Sequence, residues 1–159
     1  GLLALAENDS ELAIVMGHEI GHVIARHGAE RMSEAMVIAG VGAISAAAIE
    51  GKTDVQTRNL FLLAYGGVTT VGRVLPHSRG NESEADRMGV IYAAKAGYDP
   101  RAAISFWQKM AKQKESGSPA AATPGWLSTH PADQKRIADL QAFMPQVAPV
   151  YEANRGKFP

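Results

Sequence analysis

The 159-residue chain predicts a mainly α fold with little or no β-sheet. Three observations lead there. Apolar residues recur three and four positions apart, the period of one helix face, as at Leu12, Val15, Met16 and Val23 and again at 137, 140 and 143. Capping residues stand where such stretches begin, as in Asn8-Asp9-Ser10-Glu11 and at Asp99 before Pro100. Glycine and proline then close or separate the stretches.

The first helix is expected over 9–27. Asn8 or Asp9 caps it and acids fill its first turn. Arg26, His27 and Gly28 form its stop, with His27 a C-terminal cation and Gly28 free to turn left-handed. Two Ala- and Gly-rich helices follow over 30–50 and 54–72. A fourth, over 80–97, carries Ala85, Met88 and Tyr92 at apolar positions, with His77 in the loop before it. Gly97-Tyr98-Asp99-Pro100 turns the chain into a fifth over 100–115. Residues 116–126, SGSPAAATPGW, have the composition of a mobile loop. They lead directly to His130, as a lid or as a plain connector. A sixth helix runs over 131–143, and 145–159 reads as an irregular tail. All of this fits one domain, 1–159.

Within the first helix stands His18-Glu19-Ile20-Gly21-His22, an HExxH pattern. Residues four apart on a helix share a face, so His18 and His22 can aim two imidazoles at one point. Zn²⁺ accepts imidazole nitrogen at about 2.0–2.1 Å, and this spacing suits it. Glu19 projects about 100° round the helix from His18. There a carboxylate sits beside a metal without ligating it, and can take a proton from metal-activated water. Two buried core histidines are the bland alternative. The intervening glutamate and the agreeing helical context weigh against it.

A catalytic zinc needs a third protein ligand and an open position. The extension HExxHxxGxxH fails, because the chain has Ala25 and Gly28 where Gly and His are required. His27, His77, His130 and the carboxylates of NESEAD remain as candidates, and Glu82 is the strongest. Glu82 and Asp86 lie four apart on one helix face. One carboxylate can ligate while the other accepts the spare N–H of a ligand histidine. Glu84 points away and is expected to be solvated. An ordinary charged face with Arg79 and Arg87 is the alternative. His130 stands at or near a helix N-cap, where the positive end of the dipole points toward it. It is either a site residue or a simple cap. Arg136 either supports the site or pairs with Asp133 or Asp139.

HEIGH, then SRGNESEAD, then STHPADQKRI, in that order, resemble the gluzincin metallopeptidases of metallopeptidase family forty-eight, which includes the HtpX heat-shock protease, the CAAX prenyl proteases and the soluble LoiP/BepA-type envelope proteases. The resemblance runs from about Glu7 to Leu140. LPHSRGNESEADRMG is most similar to the soluble envelope branch and its mitochondrial inner-membrane relatives. The resemblance implies a compact zincin-like domain, the HExxH helix packed on a second, glutamate-bearing helix. It implies one Zn²⁺ held by His18, His22 and Glu82. It makes Glu19 the general base, Asp86 a partner of a ligand histidine, and His130 a donor to the oxyanion. Family members carry strands upstream of this region, so little β-sheet is expected here. The implied activity is zinc-dependent endopeptidase action on unfolded or damaged envelope proteins. A zinc-stabilised chaperone-like or protein-binding module is the alternative, and intact Glu19 favours the enzyme.

Composition bounds the rest. Lys plus Arg and Asp plus Glu are both 16, and no basic block suggests nucleic acid. With no cysteine, disulfides and a cysteine nucleophile are excluded, and no G-x-S-x-G elbow is present. No signal peptide or lipobox is readable. GLLALAENDSELA reads as mid-domain, which suggests a truncated or processed chain whose missing part carries an export signal. The expected compartment is therefore extracytoplasmic, the bacterial periplasm, with a membrane-associated lipoprotein as the full-length form. Ala35 to Ile49 carries no charge, and Leu60 to Val71 is a second apolar stretch. Both read as packed helices, short of the length a span needs. Together they could also form a hairpin touching a membrane or an envelope partner, or a self-association surface giving a homo-oligomer.

Overall fold

The computed structural model describes residues 5–115, 130 and 134–157. Among these the chain is helical, with no strand. The helices are α1 (Asp9–Ile24), α2 (His27–Ile49), α3 (Val55–Thr69), α4 (Leu75–Lys95), α5 (Ala102–Glu115) and α6 (Gln134–Asn154). A five-residue π-turn, Thr70–Val74, joins α3 to α4. The chain divides into two compact units: Gly1–Ala25 with Glu82–Pro159, and Arg26–Asn81. The expected loop 116–126 and the helix start at Pro131 lie outside the described residues.

The first unit is built on α1, α5, α6 and the larger part of α4. Asn8 caps α1, its Oδ1 accepting from Glu11 N–H at 2.9 Å, a contact worth about 1 kcal/mol. Glu11 is itself buried. It accepts from the Glu7 backbone at 2.9 Å and from Lys109 of α5 at 2.8 Å, which ties α1 to α5. Ile14 and Val15 of α1, Val90 and Ala94 of α4, Phe106, Trp107 and Met110 of α5, and Ile137, Leu140 and Val147 of α6 form one core. The turn into α5 is as expected: Gly97 takes φ 84 and Asp99 accepts from Arg101 N–H at 2.9 Å.

Four expectations are corrected. Residues 145–154 are not irregular, because α6 continues to Asn154 through Pro145 and Pro149. Each proline deprives the carbonyl four residues back of its donor. Gln141, Pro145 and Pro149 are all exposed residues. Met144 and Val147 are buried, and Val150 and Tyr151 pack on the core. That burial holds the helix. His27 does not end the first helix. Arg26 takes the left-handed turn at φ 58, Gly28 lies inside α2, and His27 opens α2 with its side chain buried.

His77 is not in a loop, because α4 begins at Leu75, directly after the π-turn. In the second unit the His77 ring lies 3.1 Å from Glu30 and 3.1 Å from Glu34 of α2. Asn81 donates to Glu30 at 3.1 Å. The third helix also ends sooner than expected, at Thr69, where the wider π-turn takes over.

Candidate metal centre

Two helices of the first unit cross at their glycines. A Cβ on Gly17 of α1 would stand 2.8 Å from the Gly89 carbonyl oxygen of α4. One on Gly89 would stand 2.8 Å from the His18 backbone nitrogen, and one on Gly21 3.1 Å from the Ala85 oxygen. Backbone meets backbone here, which only glycine allows. The close crossing brings the HExxH face of α1 onto the Glu82–Asp86 face of α4. The motif residues named Gly21 in passing, but neither Gly17 nor Gly89 figured in the expected site. Their four-residue pairings, Gly17 with Gly21 and Ala85 with Gly89, are the signal that marks a close helix crossing.

Four donor atoms then converge, one each from His18, His22, Glu82 and His130, all within 4.8 Å of one another. His18 Nε2 lies 3.0 Å from His22 Nε2, 3.2 Å from His130 Nδ1 and 3.4 Å from Glu82 Oε2. His22 Nε2 lies 3.4 Å from Glu82 Oε1, and His130 Nδ1 lies 2.9 Å from Glu82 Oε2. A tetrahedral ion with bonds of about 2.0–2.1 Å sets its donors about 3.3 Å apart. These five separations, 2.9–3.4 Å, bracket that spacing, and the residues fit a metal ion.

The surrounding groups fix the donors. His18 Nδ1–H donates to Asp86 Oδ1 at 2.9 Å, which turns the His18 Nε2 lone pair into the cluster. Asp86 is held in turn by Arg136, whose Nε donates to Oδ2 at 2.7 Å and whose Nη2 donates to Oδ1 at 2.7 Å. Arg136 Nη1 also stands 3.3 Å from Glu82 Oε2. Its guanidinium lies 3.9 Å from the Trp107 ring centroid, a desolvated cation–π contact. Trp107 meets His18 edge-on as well. Sequence reasoning did not single Trp107 out. A lone tryptophan at a core position of α5 gives no signal of its own.

Charge follows this arrangement. Burial works to raise the Glu82 carboxyl, but hydrogen bonds from His130, His18 and His22 and the Arg136 charge hold it far below the usual carboxylate range. Burial likewise opposes ionised Asp86, and the His18 and Arg136 hydrogen bonds outweigh it and lower the pKa. Burial opposes a charged His18, yet its bonds to Asp86 and Glu82 raise it above 6.5.

Glu19 lies outside the donor set, half-exposed, with Oε1 3.5 Å from His130 Nε2. Glu84 is exposed on the far side of α4. Arg136 is committed to Asp86 and Glu82. His27 and His77 lie in the second unit and do not join the cluster. His130 sits closer in than an oxyanion donor at the rim, as a fourth member of the donor set.

An imidazole pair on one helix, crossed by a second helix that supplies a carboxylate, defines a metallopeptidase domain of the helical kind. The chain belongs to peptidase family M48, which it matches over residues 1–144. It is 31% identical over 147 residues to the mitochondrial metalloendopeptidase OMA1 of Schizosaccharomyces pombe, covering 92% of this chain and 40% of that protein. It is 35% identical over 155 residues to the mitochondrial metalloendopeptidase OMA1 of Bos taurus, covering 96% and 29%. It is 32% identical over 152 residues to the beta-barrel assembly-enhancing protease of Escherichia coli, covering 94% and 30%. The chain thus spans two fifths or less of the length of these relatives. No solved structure matches it.

Proposed function

We propose that the chain is a zinc-dependent endopeptidase domain holding one Zn²⁺ through His18, His22 and Glu82, with Glu19 as general base. The observation that carries this is the convergence of three imidazole nitrogens and one carboxylate oxygen within 4.8 Å of one another. A bound zinc supplies Lewis acidity, polarising the scissile carbonyl and activating water. Glu19 takes a proton from the attacking water and returns it to the leaving amine. Its half-exposed position beside the donors suits a group that must meet both water and substrate. Asp86 and Arg136 orient His18 and keep its lone pair directed inward.

His130 donates to the developing oxyanion. A catalytic centre keeps one position open, which favours three protein ligands over four. The relatives' names place them in mitochondria and in bacterial barrel assembly. The proposed role is quality control of unfolded or damaged envelope proteins in the bacterial periplasm, with polypeptides as substrates.

The test is casein cleavage by the purified chain and by the longer protein. Chelation should abolish cleavage. Glu19→Gln should lower it at least ~10²-fold with zinc content unchanged. Glu82→Ala should lose zinc and Glu84→Ala should not. If the chain suppresses aggregation of an unfolded protein equally well with Gln at 19, and cleaves nothing in either form, it is a binding module.

A further inference from the structure

In the second unit, α2 and α3 meet along a narrow seam. A Cβ on Gly42 would lie 3.0 Å from the Tyr65 ring, and the Tyr65 hydroxyl donates to the Ile38 carbonyl at 2.9 Å. The Thr69 hydroxyl donates to the Tyr65 carbonyl at 2.8 Å. A glycine against an aromatic, and hydroxyls satisfied on nearby carbonyls, make a contact that does not rely on water.

Away from the seam the hairpin is apolar and open. Ile44 is 73% exposed and Leu63 75%, and Val37, Val41 and Val68 are exposed with them. Leu60, Phe61, Leu62 and Leu63 are four consecutive exposed residues, more than one full turn, so α3 presents no polar face there. By length and composition α2 can cross a membrane, and only 6% of its most apolar stretch is buried. A core helix of the same composition would be mostly buried.

Charge divides the hairpin into bands. No charged residue falls from Ala35 to Ile49 or from Asn59 to Gly72. At one end Arg73 pairs with Glu34 at 2.8 Å. At the other, Arg58 stands 3.7 Å from Glu50, beside Lys52 and Asp54. A protein partner covers one side of what it binds, with about 800 Å² per partner. A surface that is apolar all round, between two charged bands, fits a medium that surrounds it and is itself apolar between polar faces.

We propose that the α2–α3 hairpin inserts into a lipid bilayer, with its charge-free belt in the hydrocarbon and its two charged bands at the polar boundaries. The belt is about 22 Å long at 1.5 Å per residue, against a core of about 30 Å. Lys52 and Arg58 extend their charges toward the far headgroups, and local thinning of the bilayer takes up the remainder. This reading is independent of the metal chemistry and stands whether or not the domain cleaves peptides.

The chain has no cysteine, so single thiols introduced as Ile44→Cys, Leu63→Cys or, in the first unit, Gln146→Cys can each carry a fluorophore. Mixed with vesicles of phosphatidylethanolamine and phosphatidylglycerol, the labels at 44 and 63 should be quenched by nitroxides on the lipid tails, and the label at 146 should not. Val41→Asp combined with Leu63→Asp should lower the vesicle partition coefficient at least ~100-fold, with helix content and zinc stoichiometry unchanged. Belt labels blind to the nitroxides, or a doubly charged variant that partitions like the parent, would overturn the proposal. So would belt labels that respond only to protein concentration, which would assign the hairpin to self-association.

Discussion

The two units of this chain place opposite kinds of residue out of their usual setting. The first buries charge: His18, Glu82, Asp86 and Arg136 lie within it, each held by another. The second exposes apolar side chains along two helices joined by a thin seam. Both are costly in water unless something compensates. In the first the compensation is visible as a closed set of hydrogen bonds. In the second, the proposed bilayer supplies it. Function is therefore read in the first unit from what the residues do to one another, and in the second from what they leave uncovered.

Asp86→Ala should break this contrast most sharply. It leaves Arg136 buried without its bidentate partner and frees the His18 ring. The expected loss is about 3–5 kcal/mol of stability, together with about 10–100-fold weaker metal binding. Denaturant unfolding of the metal-free variant reads the first, and competition with a chelating dye the second. An unchanged metal affinity would mean that Asp86 does not orient His18.

A matched pair of truncations sharpens the contrast. Leu140 is 1% exposed in the first unit and Leu63 is 75% exposed in the second. Leu140→Ala should cost about 2–5 kcal/mol, whereas Leu63→Ala in vesicle-free buffer should stay within about 0.5 kcal/mol. Equal losses in thermal unfolding would show that Leu63 is covered in solution.

Gly89→Ala comes next. The added methyl meets the His18 backbone, which cannot yield as a flexible side chain would. About 1–3 kcal/mol should be lost, and zinc affinity should fall although no donor has changed. Gly80→Ala, where a Cβ meets nothing within 4 Å, is the control on the same helix. Similar effects from both would remove the close crossing as the cause.

The smallest expected effect is on pH dependence. In metal-free protein, Glu82 and Asp86 have lowered pKa values, so their contribution is present above 4.5 and 3.8 and is lost as pH falls through their folded values. His18 is raised, so its contribution is full below 6.5 and is lost as pH rises through its folded value. Stability should therefore peak between 4.5 and 6.5. Adding zinc should shift the optimum upward, because ligand imidazoles must be neutral to bind. Metal-free stability that climbs steadily from pH 6.5 to 9 would contradict this reading of His18.

Local pattern specified most of the helices and the HExxH pair, and put Glu82 first among the open candidates for a third donor. HExxH needs only the 3.6-residue turn to put two imidazoles on one face, and Glu82 with Asp86 needs only the same turn. The Asn8 cap and the Gly97–Pro100 turn are equally local. The apolar spacing of α6 also runs on past Met144 to Val147, Val150 and Tyr151. The rule that proline ends a helix hid this, because whether a freed carbonyl faces water depends on where the helix packs. His27 shows the same limit: a basic residue before a glycine looks like a helix end until the left-handed turn is seen to fall at Arg26, two residues before Gly28.

What the sequence determined by itself is chemical type and local geometry: a helical chain, a paired-imidazole motif, a carboxylate pair and two charge-free stretches. What only the tertiary structure decided is distance and exposure. The glycine crossing, Arg136 laid on Trp107, His130 brought among the donors and the uncovered hairpin all depend on residues far apart in the chain. Sequence spacing fixes neighbours along one helix, whereas close packing between helices fixes which faces meet and which stay open.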